Sequence, residues 1–165
     1  MSLITPADLL TPHGARELAQ LASPEGHAVL EAALLEATLR GTDRSAWSAE
    51  ELALADQAAE TIGLACAFAN ALLGRIGAGR TLSDTEQTLL SGYARDVARY
   101  QLYDDAKLPE EHPVRLRYRD AVRFVERVAS GLESLGQTVL GSAGSPASVA
   151  PTRTFSADSL SGWCA

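Results

Sequence analysis

The feature that most constrains this chain is a helical repeat of apolar residues in its middle third. Ser48, followed by Glu51, forms a capping-box motif, and Ser83, followed by Glu86, repeats the motif ahead of a second helix. After Ser48 the apolar side chains recur with a period of about 3.6 residues. They are Leu52, Ala55, Ala59, Ile62, Cys66, Ala69, Leu73 and Ile76. This pattern predicts helices packed along their apolar sides.

Three weaker helix signals precede this region. Thr5-Pro6-Ala7-Asp8 combines a capping residue, a proline suited to the first turn and an acidic side chain at the positive end of the helix dipole. Ala15 to Ala22 predicts a short helix. Ser23-Pro24-Glu25 predicts the start of another, with apolar residues at helical spacing: Val29, Leu30, Ala33, Leu34 and Ala37. Residues 41–45 are expected to form a loop.

Two further helices are expected in the second half. The helix that starts after Ser83 is predicted to reach roughly Asp104, and the next one to run from about Val114 to Leu135. The latter carries an apolar face made of Tyr118, Ala121, Val125, Val128 and Leu132.

Composition agrees with an all-α fold. Ala and Leu dominate, aromatic residues make up 5% of the chain, and β-branched residues are scarce. We therefore predict a compact bundle of about four to five helices in a domain spanning residues 1–135. Residues 136–165 begin with a stretch rich in Gly, Ser, Ala and Pro, and are predicted to form a flexible linker and an extended, mostly irregular C-terminal tail.

The charge distribution disfavours a broad nucleic-acid interface. Residues 1–90 contain 12 acidic and 5 basic side chains, whereas residues 91–165 contain 9 of each, for a net charge of −7. Nucleic-acid binders need clustered positive charge. The two cysteines make neither a disulfide framework nor a metal site. With no leader and no uninterrupted apolar run long enough for a bilayer, we expect a cytoplasmic protein with no membrane contact.

No sequence motif points to catalysis. The histidines, His13, His27 and His112, lack Cys, Asp or Glu at metal-ligand spacing. Residues 74–79 contain closely spaced glycines but follow a helix, whereas a dinucleotide-binding loop follows a strand. We therefore expect no enzymatic activity, no cofactor and no bound metal. A small helical enzyme would require carboxylates that converge only in the folded chain.

Arginine recurs at four-residue spacing on two helices. The residues are Arg95 and Arg99 on the first, and Arg115, Arg119, Arg123 and Arg127 on the second. Three interpretations remain open: intrahelical ion pairs of Arg123 with Asp120 and Glu126, salt bridges to a neighbouring subunit, and contact with nucleic acid.

The end of the chain carries large apolar side chains next to charged ones. They are Arg153, Phe155, Asp158, Leu160 and Trp163. Aromatic side chains supply much of the energy of protein interfaces, so this tail is expected either to dock on a partner or to fold back on its own domain.

Several segments together resemble a family of small helical proteins of Mu-like phages and prophages. The pattern D-[IV]-A-R-Y-x-L-Y is matched by residues 96–103, and R-Y-x-D-A-x-x-[FY]-L by residues 117–125, with Val125 in place of Leu. A short glycine-bearing exit follows at 131–136. The ending F-S-x-D-x-L-x-G-[FW] is matched by residues 155–163, and Thr5-Pro6-Ala7-Asp8-Leu9 is similar to the family's start. Residues 24–90 match poorly.

The resemblance implies a head–tail connector, or head-completion adaptor, located in the virion neck and made in the host cytoplasm. Such a protein forms a ring with copies of itself, twelve-fold by analogy with related connectors. The portal protein and a neck or tail-completion protein are its partners, and DNA is only passing cargo. The tail residues Arg153, Phe155, Asp158, Leu160 and Trp163 would dock on the portal, and the arginines would lie at subunit contacts. The alternative is a helical regulatory or DNA-binding module for phage packaging or transcription.

Overall fold

The computed structural model describes residues 2–24, 26–77, 81–103, 108–132 and 135. All regular structure in these ranges is helical, which confirms the expected all-α fold. A 3₁₀ turn at Pro6–Leu9 is followed by α1 (Leu10–His13), α2 (Ala15–Ala22), α3 (Ala32–Arg40), α4 (Ala49–Gly74), α5 (Asp84–Gln101) and α6 (Pro113–Ala129).

Helix α4 is the centre of the fold. It packs against α2, α3, α5 and the 3₁₀ turn, while α5 also packs against α6. The buried residues of α4 are Ala55, Ala58, Ile62, Ala65, Cys66, Ala69 and Leu73. Four of these seven side chains are alanines, so neighbouring helices can approach α4 closely on several sides.

The helix starts predicted at Ser48 and Ser83 are confirmed. The Ser48 hydroxyl accepts a hydrogen bond from the Glu51 N–H at 3.3 Å, and the Glu51 carboxylate accepts one from the Ser48 N–H at 2.8 Å. Ser83 and Glu86 repeat this arrangement at the start of α5. Glu86 is only 8% exposed, so the hydrogen bonds from Ser83 also satisfy an acidic group that is largely removed from water.

The helix predicted to open at Ser23 begins later, at Ala32. The Ser23 hydroxyl instead accepts a hydrogen bond from the Leu30 N–H at 2.9 Å and donates one to the Ala19 carbonyl at the end of α2. These bonds fold the connecting segment back against α2. Val29, expected on a buried helical face, is 62% exposed as a consequence.

Helix α6 ends at Ala129, six residues earlier than predicted. Gly131 adopts a φ of 75°, a conformation that glycine enters without steric penalty, and the Leu132 N–H then donates to the Arg127 carbonyl at 2.9 Å. The reversal places Leu132 in solvent, with 79% of its surface exposed, rather than on the apolar face of α6.

The N-terminal segment is held against the middle of the fold by one side chain. The Leu3 and Ile4 N–H groups donate to the Asn70 Oδ1 atom at 2.9 and 3.1 Å, and the Asn70 amide donates to the Ile4 carbonyl at 2.9 Å. Ile4 is 2% exposed, so its backbone groups depend on Asn70 for hydrogen bonding.

By length and composition, α4 is long and apolar enough to cross a membrane, contrary to the expectation of no such segment. The same property is typical of core helices, because a helix contacted on several sides needs few charged residues. Packing against four other elements accounts for the buried apolar residues of α4, and 33% of its apolar window is buried in this way.

Replacing Asn70 with alanine is expected to lower the free energy of unfolding by about 1–3 kcal/mol, because the Leu3 and Ile4 N–H groups lose their acceptor and the Ile4 carbonyl keeps only the hydrogen bond from Ser2. Urea denaturation followed by circular dichroism measures the change. Gln57→Ala, on the exposed side of the same helix, is the control and should leave stability nearly unchanged. Equal stability of the two variants would contradict the role assigned to Asn70.

Candidate protein-binding surfaces

Stacked aromatic rings join α5 to α6. The rings of Tyr93 and Phe124 lie 4.5 Å apart between centroids, and those of Tyr100 and Tyr118 lie 4.0 Å apart and nearly parallel. Such pairs stabilise an interface beyond the area that they bury. Because the two stacked pairs lie at different levels of α5 and α6, they fix how the two helices align along their length.

The two motif segments of the family resemblance, residues 96–103 and 117–125, contact each other across this interface. Asp96 and Arg117 form an ion pair at 3.6 Å, while Val97, Ala98 and Ala121 are fully buried. With the tyrosine stack, these contacts explain the residue types at most motif positions. These motif residues therefore help to pair α5 with α6.

Arg99 binds inside the subunit. Its Nε and Nη2 atoms lie 2.7 and 2.6 Å from the Glu17 carboxylate, which also accepts a hydrogen bond from the Tyr103 hydroxyl at 3.1 Å. The side chains of Arg99 and Glu17 are only 20% and 27% exposed, and the pair ties α5 to α2. Burial, together with the adjacent carboxylate, raises the pKa of Tyr103.

Arg95 is also oriented toward the N-terminal elements. Its charge contributes to the lowered pKa of Asp8, after the larger effect of the hydrogen bonds from the Thr5 side chain and backbone. Its Nε atom is buried and has no hydrogen-bond partner among the described residues. Arg95 and Arg99 are therefore separated in role from the arginines of α6.

Four arginines of α6 are exposed: Arg117, which pairs with Asp96, and Arg119, Arg123 and Arg127. In the described part of the chain neither Arg119 nor Arg123 forms an ion pair, and the intrahelical pairs of Arg123 with Asp120 and Glu126 are not formed. Arg115 and Arg127, by contrast, each make an interaction of their own. The six predicted contact arginines therefore do not form one surface.

The outward face of α4 is apolar over two turns, a feature that sequence reasoning missed. Leu64 is 67% exposed and Phe68 is 46% exposed. With Thr61, Ala65 and Gln101 they line a shallow depression of about 210 Å³. The sequence did contain a sign of this exposed face, because Leu64 and Phe68 both fall outside the predicted series of buried positions.

A second apolar depression lies between the end of α4 and α6. It has a volume of about 370 Å³ and is lined by Leu72, Arg75, Ile76, Val122, Val125, Glu126, Val128 and Ala129. Arg75 and Glu126 are its charged groups, and the lining contains no thiol, hydroxyl or imidazole.

The potential nucleophile Cys66 is buried in α4, at 2% exposure. Burial, with a smaller contribution from the Asp8 charge, raises the pKa of its thiol to about 11. A thiol in such surroundings is a poor nucleophile at neutral pH. Within the described ranges, no group of three or more His, Cys, Asp or Glu side chains is placed to hold a metal ion.

The predicted docking residues of the tail lie outside the described residues. They are Arg153, Phe155, Asp158, Leu160 and Trp163. Their assignment therefore remains a prediction from sequence.

These features define a small all-helical protein with exposed arginine-bearing and apolar surfaces of the kind that suit protein contacts. The family described as "Bacteriophage Mu, Gp36" matches residues 4–150. The match covers most of the chain, so the chain belongs to the bacteriophage Mu Gp36 family and is a phage protein, as the motifs indicated. No curated protein and no solved structure matches the chain.

Replacing Arg99 with alanine is expected to lower the free energy of unfolding by about 1–3 kcal/mol, because Glu17 and Tyr103 lose a largely buried partner. Arg123→Ala is the matched control and should change stability by less than about 0.5 kcal/mol, because its side chain is exposed. Urea unfolding of both variants measures the difference. A larger loss in Arg123→Ala would contradict the division into inward and outward arginines.

Cys66 is expected to react slowly with a thiol reagent. At pH 8 its raised pKa lowers the thiolate fraction roughly hundredfold relative to an ordinary cysteine, and burial slows access further. Ellman's reagent on a Cys164→Ser chain, with and without urea, measures the ratio of rates. Similar rates in the folded and unfolded chains would contradict the burial of this thiol.

Proposed function

We propose that this protein is a structural virion component, a head–tail connector that assembles as a ring on the portal and links the capsid to the neck and tail. The supporting observation is that Arg119 and Arg123 lie on an exposed face of α6 without internal ion pairs, in a chain that belongs to a phage family. The cost of desolvating a guanidinium at an interface is offset when a carboxylate accepts its hydrogen bonds. A second copy of this acidic chain supplies such partners.

Ring assembly requires two different faces on each subunit, because a head-to-tail contact joins unlike surfaces. The described structure supports this requirement. The arginine face lies on α6, the apolar depression around Leu64 and Phe68 lies on α4, and α5 packs against both helices. One copy can therefore offer each face to a different neighbour.

The C-terminal tail supplies the proposed contact with the portal. It follows the helical domain and places Phe155, Leu160 and Trp163 within nine residues. Large apolar side chains of this kind are typical anchors at protein interfaces. Under this proposal the neck or tail-completion protein binds another surface of the ring, and DNA passes through without specific binding.

The proposed role requires no enzymatic activity, cofactor or metal. The buried Cys66 thiol, with its raised pKa, supports a non-catalytic role, and so does the 370 Å³ groove, whose lining holds no nucleophile. The family motif also supports it, because the motif residues hold α5 against α6.

Deletion of residues 153–165 is expected to abolish co-purification with the portal protein while leaving the circular dichroism spectrum of the helical domain unchanged. A full-length chain with Phe155→Ala, Leu160→Ala and Trp163→Ala should behave in the same way. The matched control carries Ser156→Ala, Ser159→Ala and Ser161→Ala and should still bind. Electron microscopy of the complexes tests for a ring. Undiminished portal binding after the deletion would remove the tail from the mechanism.

The exposed arginine pair is also the feature that favours the alternative, a DNA-binding or regulatory module. Under the connector proposal, duplex DNA shows no salt-sensitive binding to the free protein, because the net charge of −7 opposes association. Fluorescence anisotropy at low salt tests this point. Binding that weakens with salt and is lost in Arg119→Ala/Arg123→Ala would support the alternative.

A further inference from the structure

The exposed face of α4 forms a stripe of defined chemistry. At about 100° per residue, Glu60, Thr61, Leu64 and Phe68 lie within roughly a third of the helix circumference, and all four are exposed. Glu60 makes no ion pair within the described residues. We call these four residues the α4 stripe: it is acidic toward the helix N-terminus and apolar toward the C-terminus.

The exposed face of α6 carries a stripe of opposite polarity. Leu116, Arg119, Asp120 and Arg123 are all exposed, and Leu116 retains 43% of its surface in solvent. We call these residues the α6 stripe. It begins with an apolar side chain near the helix N-terminus and continues with basic ones. The two helices also differ in total charge: α4 contains four acidic and no basic side chains, whereas α6 contains five arginines and two acidic residues.

The order of these residues selects one orientation of packing. When the helices run antiparallel with Leu116 against Leu64, the turn of α4 that contains Glu60 meets the turn of α6 that contains Arg119. Helical rotation then places Glu60 and Arg119 on the same flank of the contact, and Asp120 on the flank of Thr61. A parallel arrangement with the same leucine contact separates Glu60 from Arg119 by about seven residues, or roughly 10 Å, along the helix axis, so the two charges do not pair.

The α4 stripe also offers a place for the apolar side chain. The depression of about 210 Å³ beside Leu64 and Phe68 is open to solvent and large enough for the end of a leucine side chain. Seating Leu116 there removes three partly exposed apolar side chains from water at once. Apolar burial at the centre and a charge pair at the edge is the usual distribution in protein interfaces.

We propose that the α4 stripe of one copy binds the α6 stripe of the next copy in an antiparallel helix pair, with Leu116 in the depression and Glu60 paired with Arg119. The inference rests on the proposed connector function and names the contact that closes its ring. Because the stripes lie on different helices of one subunit, each copy can bind one neighbour through α4 and another through α6.

The pairing is tested by disulfide formation between full-length chains carrying Cys164→Ser. Leu64→Cys and Leu116→Cys are made in separate chains, and oxidation is expected to give covalent dimers only in their mixture. Leu89→Cys, with 42% exposure on α5, replaces Leu116→Cys as the matched control and should give none. Dimers from either single variant alone, or equal yields with Leu89→Cys, would overturn the pairing.

Charge exchange provides an independent readout. Glu60→Arg and Arg119→Glu should each reduce the yield of rings at least about tenfold, because each places like charges in contact. The chain with both changes should recover assembly, since every interface regains an opposite pair. Glu50→Arg is the control for added positive charge. It should assemble normally, because residue 50 lies beyond the end of the neighbour's α6 when Leu116 packs against Leu64. Failure of the double variant to recover in the presence of normal folding would contradict the Glu60–Arg119 pair.

Oxidation is performed on the free chains and after incubation with the portal protein, so that the two proposals are tested separately. Covalent dimers without portal binding would support the helix pairing and contradict the connector role. Rings on the portal without dimers would overturn the pairing and leave the connector role standing. Neither dimers nor rings would overturn both.

Discussion

The close packing around α4 is the constraint on which the rest of the structure depends. Ala55, Ala58 and Ala69 are fully buried, and their small side chains allow α2, α3, α5 and the 3₁₀ turn to contact the same helix. Larger residues at these positions would separate the surrounding helices and open the core. Helix α5 packs on this centre and in turn carries α6.

The parts of the fold that depend on local chemistry were predictable from the sequence. Capping boxes at Ser48 and Ser83 gave the starts of α4 and α5, because both partners lie within one turn of the same chain. The start of α3 and the end of α6 were predicted wrongly. Ser23 and Gly131 act there through backbone hydrogen bonds that form only when the chain reverses, and apolar spacing alone does not reveal such a reversal.

The candidate surfaces were only partly predictable for a related reason. A four-residue spacing places arginines along one side of a helix, but it does not show which of them form ion pairs with another element of the same subunit. Arg99 is bound by Glu17, 82 residues earlier, whereas Arg123 remains exposed on α6. The exposure of Leu64 and Phe68 was missed although both fall outside the predicted buried series, because almost every position of α4 has a residue type that is compatible with a core.

The family motif and the proposed working surfaces occupy different sides of the same helices. Tyr100 and Tyr118 make an internal contact between α5 and α6, while Arg119 and Arg123 lie on the outside. The residues by which the motif identifies the family are therefore residues that pack one helix against another. Under the proposed connector role, partner specificity can change through the outward residues without disturbing that packing.

The hydrogen bonds between Asn70 and the N-terminal segment have a consequence for the order of folding. Leu3 and Ile4 are synthesised before their partner, which lies 67 or 66 positions later in the chain. On the ribosome the N-terminal segment therefore has no docking site until most of α4 has left the exit tunnel. The N-terminal segment is therefore secured only after α4 has been made, and it cannot dock on the elements that precede α4 alone.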